Sequence, residues 1–172
     1  MTAKKRNALI IAAVVVVLAA VIAVLAILNK PKGEINSGTV TLLHAGETVK
    51  VFSSEEIEAL PYAEVYKEIV SSSHDDAAGT FRGVWLHDLL DAADPSLRDG
   101  ARQIVVTSED AFVAAYTAED VYDYDDIMLA YRMDGEPLKS KDDGGFGPFR
   151  IIILGDEFGN RSAKYVFQIE VR

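Results

Sequence analysis

A glycine-rich segment near the C-terminus carries the residue types that hold anions. Residues 139–147 read KSKDDGGFG and are followed by Arg150 and, further along, by Lys164. Glycines let backbone N–H groups approach a bound anion closely, and a guanidinium offers two parallel donors to a phosphate or carboxylate. We therefore predict an anion site formed by Gly145, Gly147, Arg150 and Lys164. The alternative is that Arg150 faces solvent on a strand and pairs with an acidic residue.

A serine run supplies a second candidate site. Residues 71–74 read SSSH, so hydroxyl and imidazole groups lie together after a predicted strand. Ser73 and His74 are the candidate cofactor-binding residues here, because a hydroxyl oxygen or a ring nitrogen can ligate a metal. A serine-rich stretch after a strand is also typical of a turn whose hydroxyls bond nearby backbone groups. Both interpretations stay open.

The remaining histidines and acids do not form a recognisable centre. His44, His74 and His87 show no metal-ligand spacing such as H-x-x-x-H. The acidic run at residues 120–126 lacks the glycine and the distal glutamate of a calcium-binding loop, so we interpret it as solvated. We predict no catalytic residue and no metal site.

The charge balance excludes one class of partner. The 172 residues include 17 Lys and Arg against 27 Asp and Glu, a formal net charge of −10 at pH 7. A nucleic-acid-binding protein would show a basic patch or stripe, so nucleic acid is not expected as a partner. The chain has no cysteine, which excludes disulfides and a lipoprotein-type lipid anchor.

A long apolar run near the N-terminus predicts a membrane anchor. Residues 8–28 are uncharged and apolar, and as a helix rising about 1.5 Å per residue they would span the roughly 30 Å hydrocarbon core of a bilayer. Basic residues in the tail 1–7 favour a cytoplasmic N-terminus and an extracytoplasmic domain at the cell membrane. Residues 29–38 are interpreted as a tether before one folded domain at 39–172. A cleaved signal peptide is the alternative.

The folded part alternates short strand and helix patterns. Ser53 followed by Glu56 is a capping-box pattern that starts a helix. Asp134-Gly135 between apolar runs indicates a hairpin, since both positions tolerate positive φ. The last strand is predicted at residues 163–171. Together these patterns predict an α+β fold, a single domain with a mixed or antiparallel sheet behind one N-terminal transmembrane helix.

Three segments in order carry a family resemblance. They are residues 80–90 (TFRGVWLHDLL), 133–138 (MDGEPL) and 147–150 (GPFR), the last accompanied by Lys164-Tyr165. Together they resemble the oxidoreductase molybdopterin-binding domain of the sulfite oxidase superfamily, over about residues 40–172. The resemblance implies the sulfite-oxidase-type fold and molybdopterin as the cofactor. It also implies that the glycines and Arg150 grip the pterin phosphate.

One departure from the family pattern bears directly on function. Family enzymes hold molybdenum through a cysteine thiolate in the loop upstream of the Gly-Val helix, where this chain has residues 71–74 and no cysteine. We therefore expect a membrane-tethered extracytoplasmic binding or accessory domain without molybdenum catalysis, which binds an anionic small molecule or an envelope protein. The alternatives are a molybdopterin-dependent oxidoreductase, or a subunit of one, with a non-cysteine ligand, and a structural protein-interaction module of the cell envelope.

Overall fold

The computed structural model describes residues 3–28, 38–70 and 77–172. The chain divides into two compact units, Met1–Lys32 and Gly33–Arg172. All of the described strands belong to the second unit.

The first unit holds helix α1 (Ala3–Leu28). Side chains are described for its residues 11–25, and all of these are exposed. Within the described residues, no helix combines the length and hydropathy needed to cross a membrane. The anchor predicted at residues 8–28 therefore stays a prediction, and most of the predicted tether at 29–38 lies outside the described residues.

The strands of the second unit form two sheets rather than the single sheet that the sequence predicts. The strands are β1 (Thr39–His44), β2 (Glu47–Ser53), β3 (Ala63–Ile69), β4 (Ala77–Trp85), β5 (Gln103–Ser108), β6 (Val113–Thr117), β7 (Ile127–Met133), β8 (Glu136–Pro137), β9 (Arg150–Ile153) and β10 (Val166–Val171). The first sheet has the order β2-β1-β10-β5-β6. The second has the order β3-β4-β7, with β8 and β9 both pairing with β7. Neighbouring strands are antiparallel, except that β1 and β10 run parallel.

Two of the three short α-helices that the structure describes begin at a residue whose side chain caps them, and the third, which follows Trp85, has no such cap. They are α2 (Ser54–Glu58), α3 (Leu86–Asp91) and α4 (Ala118–Tyr122), with 3₁₀ turns at Pro95–Arg98 and Gly159–Arg161. The Ser53 hydroxyl accepts from the Glu56 N–H at 3.2 Å, and the Ser53 N–H donates to the Glu56 carboxylate at 2.9 Å. The predicted capping box is confirmed. Thr117 and Asp120 form the same arrangement at the start of α4.

Strand β7 explains why the second sheet has two buried faces. Ile127 and Leu129 point into the main core, which also takes side chains from the first sheet and from α3. Met128 and Ala130 alternate with them and point into a separate, smaller cluster. The sequence of a strand that is buried on both faces is a continuous apolar run. Such a run does not show which other strands lie beside it in the sheet.

The smaller cluster, here called the second core, lies against the loop that follows β8. Its buried members include Phe81 of β4, Ile152 of β9 and Leu138. Phe146 is partly buried against it. The loop between β8 and β9 is therefore packed onto the sheet by apolar contacts.

Two local features bound the strands near this loop. Asp134 and Gly135 have φ of 51° and 85°, so the predicted hairpin between β7 and β8 is confirmed. The last strand begins at Val166 instead of residue 163, because Tyr165 has a φ of 56° that a strand cannot contain.

Candidate functional site

The glycine loop (residues 139–147) folds back on its own beginning. The Gly147 N–H donates to the Lys139 carbonyl at 2.7 Å. A Cβ placed on Gly145 would lie 2.3 Å from the same carbonyl oxygen, and one on Gly147 would lie 2.5 Å from the Leu138 Cβ. Both positions therefore require glycine for the loop to pack against the end of its preceding strand.

Arg150 begins β9 directly after the loop and is buried, with 2% of its surface exposed. Its Nε donates to the Ser162 hydroxyl at 3.3 Å, and that hydroxyl donates to the Ile151 carbonyl. The guanidinium carbon lies 4.9 Å from the centroid of the Phe146 ring. Arg150 is therefore not the solvent-facing strand residue of the alternative interpretation, because it lies under a side chain of the glycine loop.

Two lysines lie over aromatic rings between Arg150 and the surface. The Lys164 Nζ lies 5.6 Å from the Phe146 ring centroid and 5.8 Å from that of Tyr165. The Lys141 Nζ lies 5.6 Å from the Tyr165 centroid. Lys141 is exposed and Lys164 is half-buried. The resulting basic–aromatic row (Lys141, Tyr165, Lys164, Phe146, Arg150) holds three cations within cation–π distance of two rings.

Tyr165 ties the glycine loop to the rest of the domain. Its hydroxyl donates to the Gly145 carbonyl at 3.0 Å, and its N–H donates to the Phe146 carbonyl at 3.4 Å. Its own carbonyl accepts from the Glu109 N–H at 3.0 Å, at the turn after β5. The loop is thus attached to both sheets, through β8 and β9 on one side and through the start of β10 on the other.

A turn held by side-chain hydrogen bonds places Ser162 beside Arg150. The Arg161 guanidinium donates twice to the Asp156 carboxylate, at 2.6 and 2.9 Å, and these hydrogen bonds raise the pKa of Arg161. The Tyr116 hydroxyl donates to the Arg161 carbonyl at 2.6 Å. Burial raises the pKa of Tyr116, so the hydroxyl stays protonated and remains a donor at neutral pH.

Not every predicted site residue is placed by the structure. Four of the six lie together around the loop, namely Gly145, Gly147, Arg150 and Lys164. Ser73 and His74 lie outside the described residues. Sequence reasoning missed Lys141 and Ser162. A second lysine inside the glycine-rich segment was a usable signal for Lys141, whereas Ser162 reaches Arg150 from a turn that has no local signal.

His87 lies at a different place, on the surface of α3. Its Nε2 is 2.9 Å from the Asp125 carboxylate, and its Nδ1 is 3.2 Å from that of Asp88. Within residues 3–28, 38–70 and 77–172, no group of three or more His, Cys, Asp or Glu side chains is placed to hold a metal ion. The His87 imidazole therefore lies between two carboxylates.

A small cavity lies beside the second core. Its volume is about 10 Å³, and it is lined by residues that include Lys67, Ile69, Phe158 and Ser162. The Lys67 Nζ donates to the carbonyls of Leu154 and Asp156 at 2.8 and 2.6 Å. A space of this size is at the lower limit for one water molecule, so it does not admit a cofactor.

The comparisons with known proteins agree with this architecture. Residues 44–172 match the oxidoreductase molybdopterin binding domain, and the chain belongs to this family. Among solved structures it is similar to the sulfane dehydrogenase SoxCD from Paracoccus pantotrophus, with a TM-score of 0.64 and 17% identity. The likeness covers 80% of this chain and 39% of that chain, and it shows the fold. No curated protein matches the sequence.

The residues of this chain do not fit the metal that the family implies. The resemblance places a cysteine thiolate on molybdenum, and the sequence contains no cysteine. At Gly145 and Gly147 the glycine loop offers no open cradle for a pterin phosphate, since the Cβ positions of both are filled by residues 138–139. What the site does offer is positive charge, carried by Lys141 and Lys164 near the surface and by Arg150 beneath them.

Proposed function

We propose that this chain is a membrane-tethered, extracytoplasmic binding domain that uses the molybdopterin-binding fold without performing molybdenum chemistry. The observation that carries the proposal is the complete absence of cysteine from a member of this family. The family resemblance implies a cysteine thiolate as the protein's ligand to molybdenum, and this chain has no thiolate to supply. Fold alone does not supply the activity, because one scaffold hosts many functions.

The ligand that the site favours is a small oxyanion. The chain carries a net charge of −10, yet three cations gather at the basic–aromatic row. A cation held against an aromatic face keeps its charge, and a charged N–H group makes strong hydrogen bonds to oxyanions. A phosphate, sulfate or carboxylate group arriving at Lys141 and Lys164 would meet positive charge on a chain whose net charge is negative.

Metal and pterin analysis tests the catalytic side of the proposal. The full chain is expressed in a host that produces molybdenum cofactor, and a cysteine-containing member of the family is purified in parallel as the positive control. Molybdenum is measured by elemental analysis and pterin by fluorescence after acid oxidation. We expect neither in this chain. Stoichiometric molybdenum would refute the proposal and favour an oxidoreductase with a non-cysteine ligand.

Calorimetric titration with inorganic phosphate at low ionic strength tests the binding side. The double variant Lys141→Gln/Lys164→Gln is expected to weaken phosphate binding at least tenfold, because two charge-assisted contacts are lost. Lys50→Gln is the matched control for each single variant, Lys141→Gln and Lys164→Gln, since it also removes one charge and the Lys50 Nζ also lies over an aromatic ring, that of Phe52, at 4.3 Å. Equal weakening by the control would show that the effect is only one of net charge.

The tether is tested in whole cells. The uncharged run at residues 8–28 supports it, as do the basic residues that precede this run. We expect the full chain to stay with the membrane fraction after an alkaline carbonate wash, and its C-terminal domain to be cut by protease added outside the cytoplasmic membrane. Release of the intact chain by carbonate would contradict the tether.

A further inference from the structure

Strand β6 forms one edge of the first sheet, and among the described residues it pairs only with β5. The strand and the two residues before it, Ala111 and Phe112, carry no charge. Sheet edges are usually protected by charged residues or proline, because an unprotected edge offers its backbone groups to another strand. The other edge strands are protected in this way: β2 has Glu47 and Lys50, β3 has Glu64, Lys67 and Glu68, and β8 has Glu136 and Pro137. Strand β6 is the exception among these edge strands.

The pairing of β5 with β6 shows which backbone groups of β6 face away from the sheet. Where the pair begins, the Ser108 N–H donates to the Phe112 carbonyl at 2.9 Å. Antiparallel partners alternate between hydrogen-bonded and non-bonded pairs, so the residues two and four positions after Phe112 also bond to β5. Val113 and Ala115 alternate with them, and their N–H and C=O groups therefore point away from β5. Within the described residues, no turn or loop forms a backbone hydrogen bond with these groups.

The side chains along this edge are apolar at its centre and acidic at its ends. Val113 is 55% exposed and Phe112 is 40% exposed. Asp110 before the strand and Glu119 after it are also exposed. Opposite charges on neighbouring strands stabilise their pairing, and like charges destabilise it. A strand that pairs with β6 would therefore be favoured by apolar residues at its centre and by basic residues at its ends.

The flanking acids argue against a second copy of this chain as the partner. In an antiparallel pair of two β6 strands, Val113 of one copy would face Ala115 of the other. Asp110 of each copy would then lie within one position of Glu119 of the other. Like charges would meet at both ends of the pair, which disfavours this dimer.

We propose that the edge of β6 is a docking site for an extended segment of a partner protein, which joins the first sheet as an added strand. The segment has apolar residues at its centre and Lys or Arg at its ends. The outward N–H and C=O groups of Val113 and Ala115 bind its backbone, and the exposed acids bind its basic ends. This inference goes beyond the proposed anion site and does not depend on it.

The test uses the full chain in a mild detergent and the fluorescently labelled peptide KKVTVTVKK, which has β-branched residues between pairs of lysines. Binding is measured by fluorescence anisotropy, and amide hydrogen exchange followed by NMR locates the peptide. We expect the amides of Val113 and Ala115 to exchange at least tenfold more slowly when the peptide is bound, because they become hydrogen-bonded. The charge-reversed peptide EEVTVTVEE should bind at least tenfold more weakly.

Two variants block the edge in different ways. Ala115→Pro removes an outward N–H and keeps the hydrogen bonds to β5, so it should weaken binding of the lysine peptide at least tenfold. Val113→Lys places a cation at the centre of the edge and should also weaken binding. Val49→Lys is the matched control, because it makes the same change at an exposed valine of β2, on the opposite edge of the same sheet. It should leave the binding unchanged.

Several results would overturn the proposal. They are a lysine peptide that does not bind, equal binding of the two peptides, and fast exchange at Val113 and Ala115 in the complex, which would place the peptide elsewhere. Wild-type binding by Val113→Lys would also overturn it, even if Ala115→Pro does not fold by circular dichroism. A dimer in light scattering that Ala115→Pro disrupts would replace the partner segment by a second copy of this chain.

Discussion

A single methyl group added to the glycine loop tests whether its glycines serve packing or ligand approach. In Gly145→Ala the new Cβ would lie 2.3 Å from the Lys139 carbonyl oxygen and 2.4 Å from the Lys139 Cβ. Ordinary van der Waals contact begins at 3.4 Å, so the backbone must shift by about 1 Å. That shift removes the 2.7 Å hydrogen bond from the Gly147 N–H to the same carbonyl.

The magnitude follows from three effects. Overpacking against backbone costs about 1–3 kcal/mol, and the lost hydrogen bond costs about 1 kcal/mol. Alanine has less conformational entropy than glycine in the unfolded chain, which offsets about 0.5 kcal/mol of this cost. We therefore expect Gly145→Ala to lower the free energy of unfolding by about 1.5–3.5 kcal/mol, measured by urea titration followed by circular dichroism.

Gly144→Ala is the matched control one residue away. A Cβ on Gly144 would have no neighbour within 4 Å, and only its φ of +71° opposes the substitution. The expected cost is about 1 kcal/mol. If Gly145→Ala were no more destabilising than Gly144→Ala and lost only phosphate binding, Gly145 would serve the ligand and the packing argument would be wrong.

Three further predictions concern the rest of the domain. Phe81→Ala removes a fully buried ring from the second core and should lower the free energy of unfolding in urea by about 3–5 kcal/mol, whereas Phe112→Ala, at a 40% exposed position, should change it little. Ser53→Ala removes the cap of α2 and should cost about 1 kcal/mol in the same titration. Burial raises the pKa of Tyr122 to about 12, against about 10 in the unfolded chain. The neutral hydroxyl therefore contributes its full share of the folding stability below about pH 10, and this contribution is lost as the pH rises through about 12. Urea midpoints should fall across this window and fall less in Tyr122→Phe; an identical fall in both would contradict the assignment.

Sequence reasoning succeeds where a feature depends on residues close together in the chain. The capping box of Ser53 and Glu56 needs two side chains three positions apart, and the hairpin at Asp134 and Gly135 needs two residues that accept positive φ. The local geometry of such a pattern is determined by the residues of the pattern itself. The family resemblance also succeeded, because it depended on several such segments occurring in order.

Sequence reasoning fails where the answer depends on residues that meet only in the fold. The division into two sheets depends on which strands flank β7, and an apolar run that is buried on both faces is compatible with many neighbours. Arg150 contacts Phe146 and Ser162, which only the fold brings to it. The late start of the last strand depends on Tyr165, which does not have a strand conformation and whose hydroxyl bonds to the glycine loop.

The packing of the glycine loop changes which residues bear on function. Gly145 and Gly147 match the family pattern, but each is already required by its contact with residues 138–139. Their presence is therefore explained by the fold and adds nothing to the case for a ligand. Lys141 and Lys164 are different, because they bring positive charge to the loop of a chain whose net charge is −10. The case for an anion depends on those two lysines, and a phosphate titration of their double variant addresses it more directly than any change to the glycines.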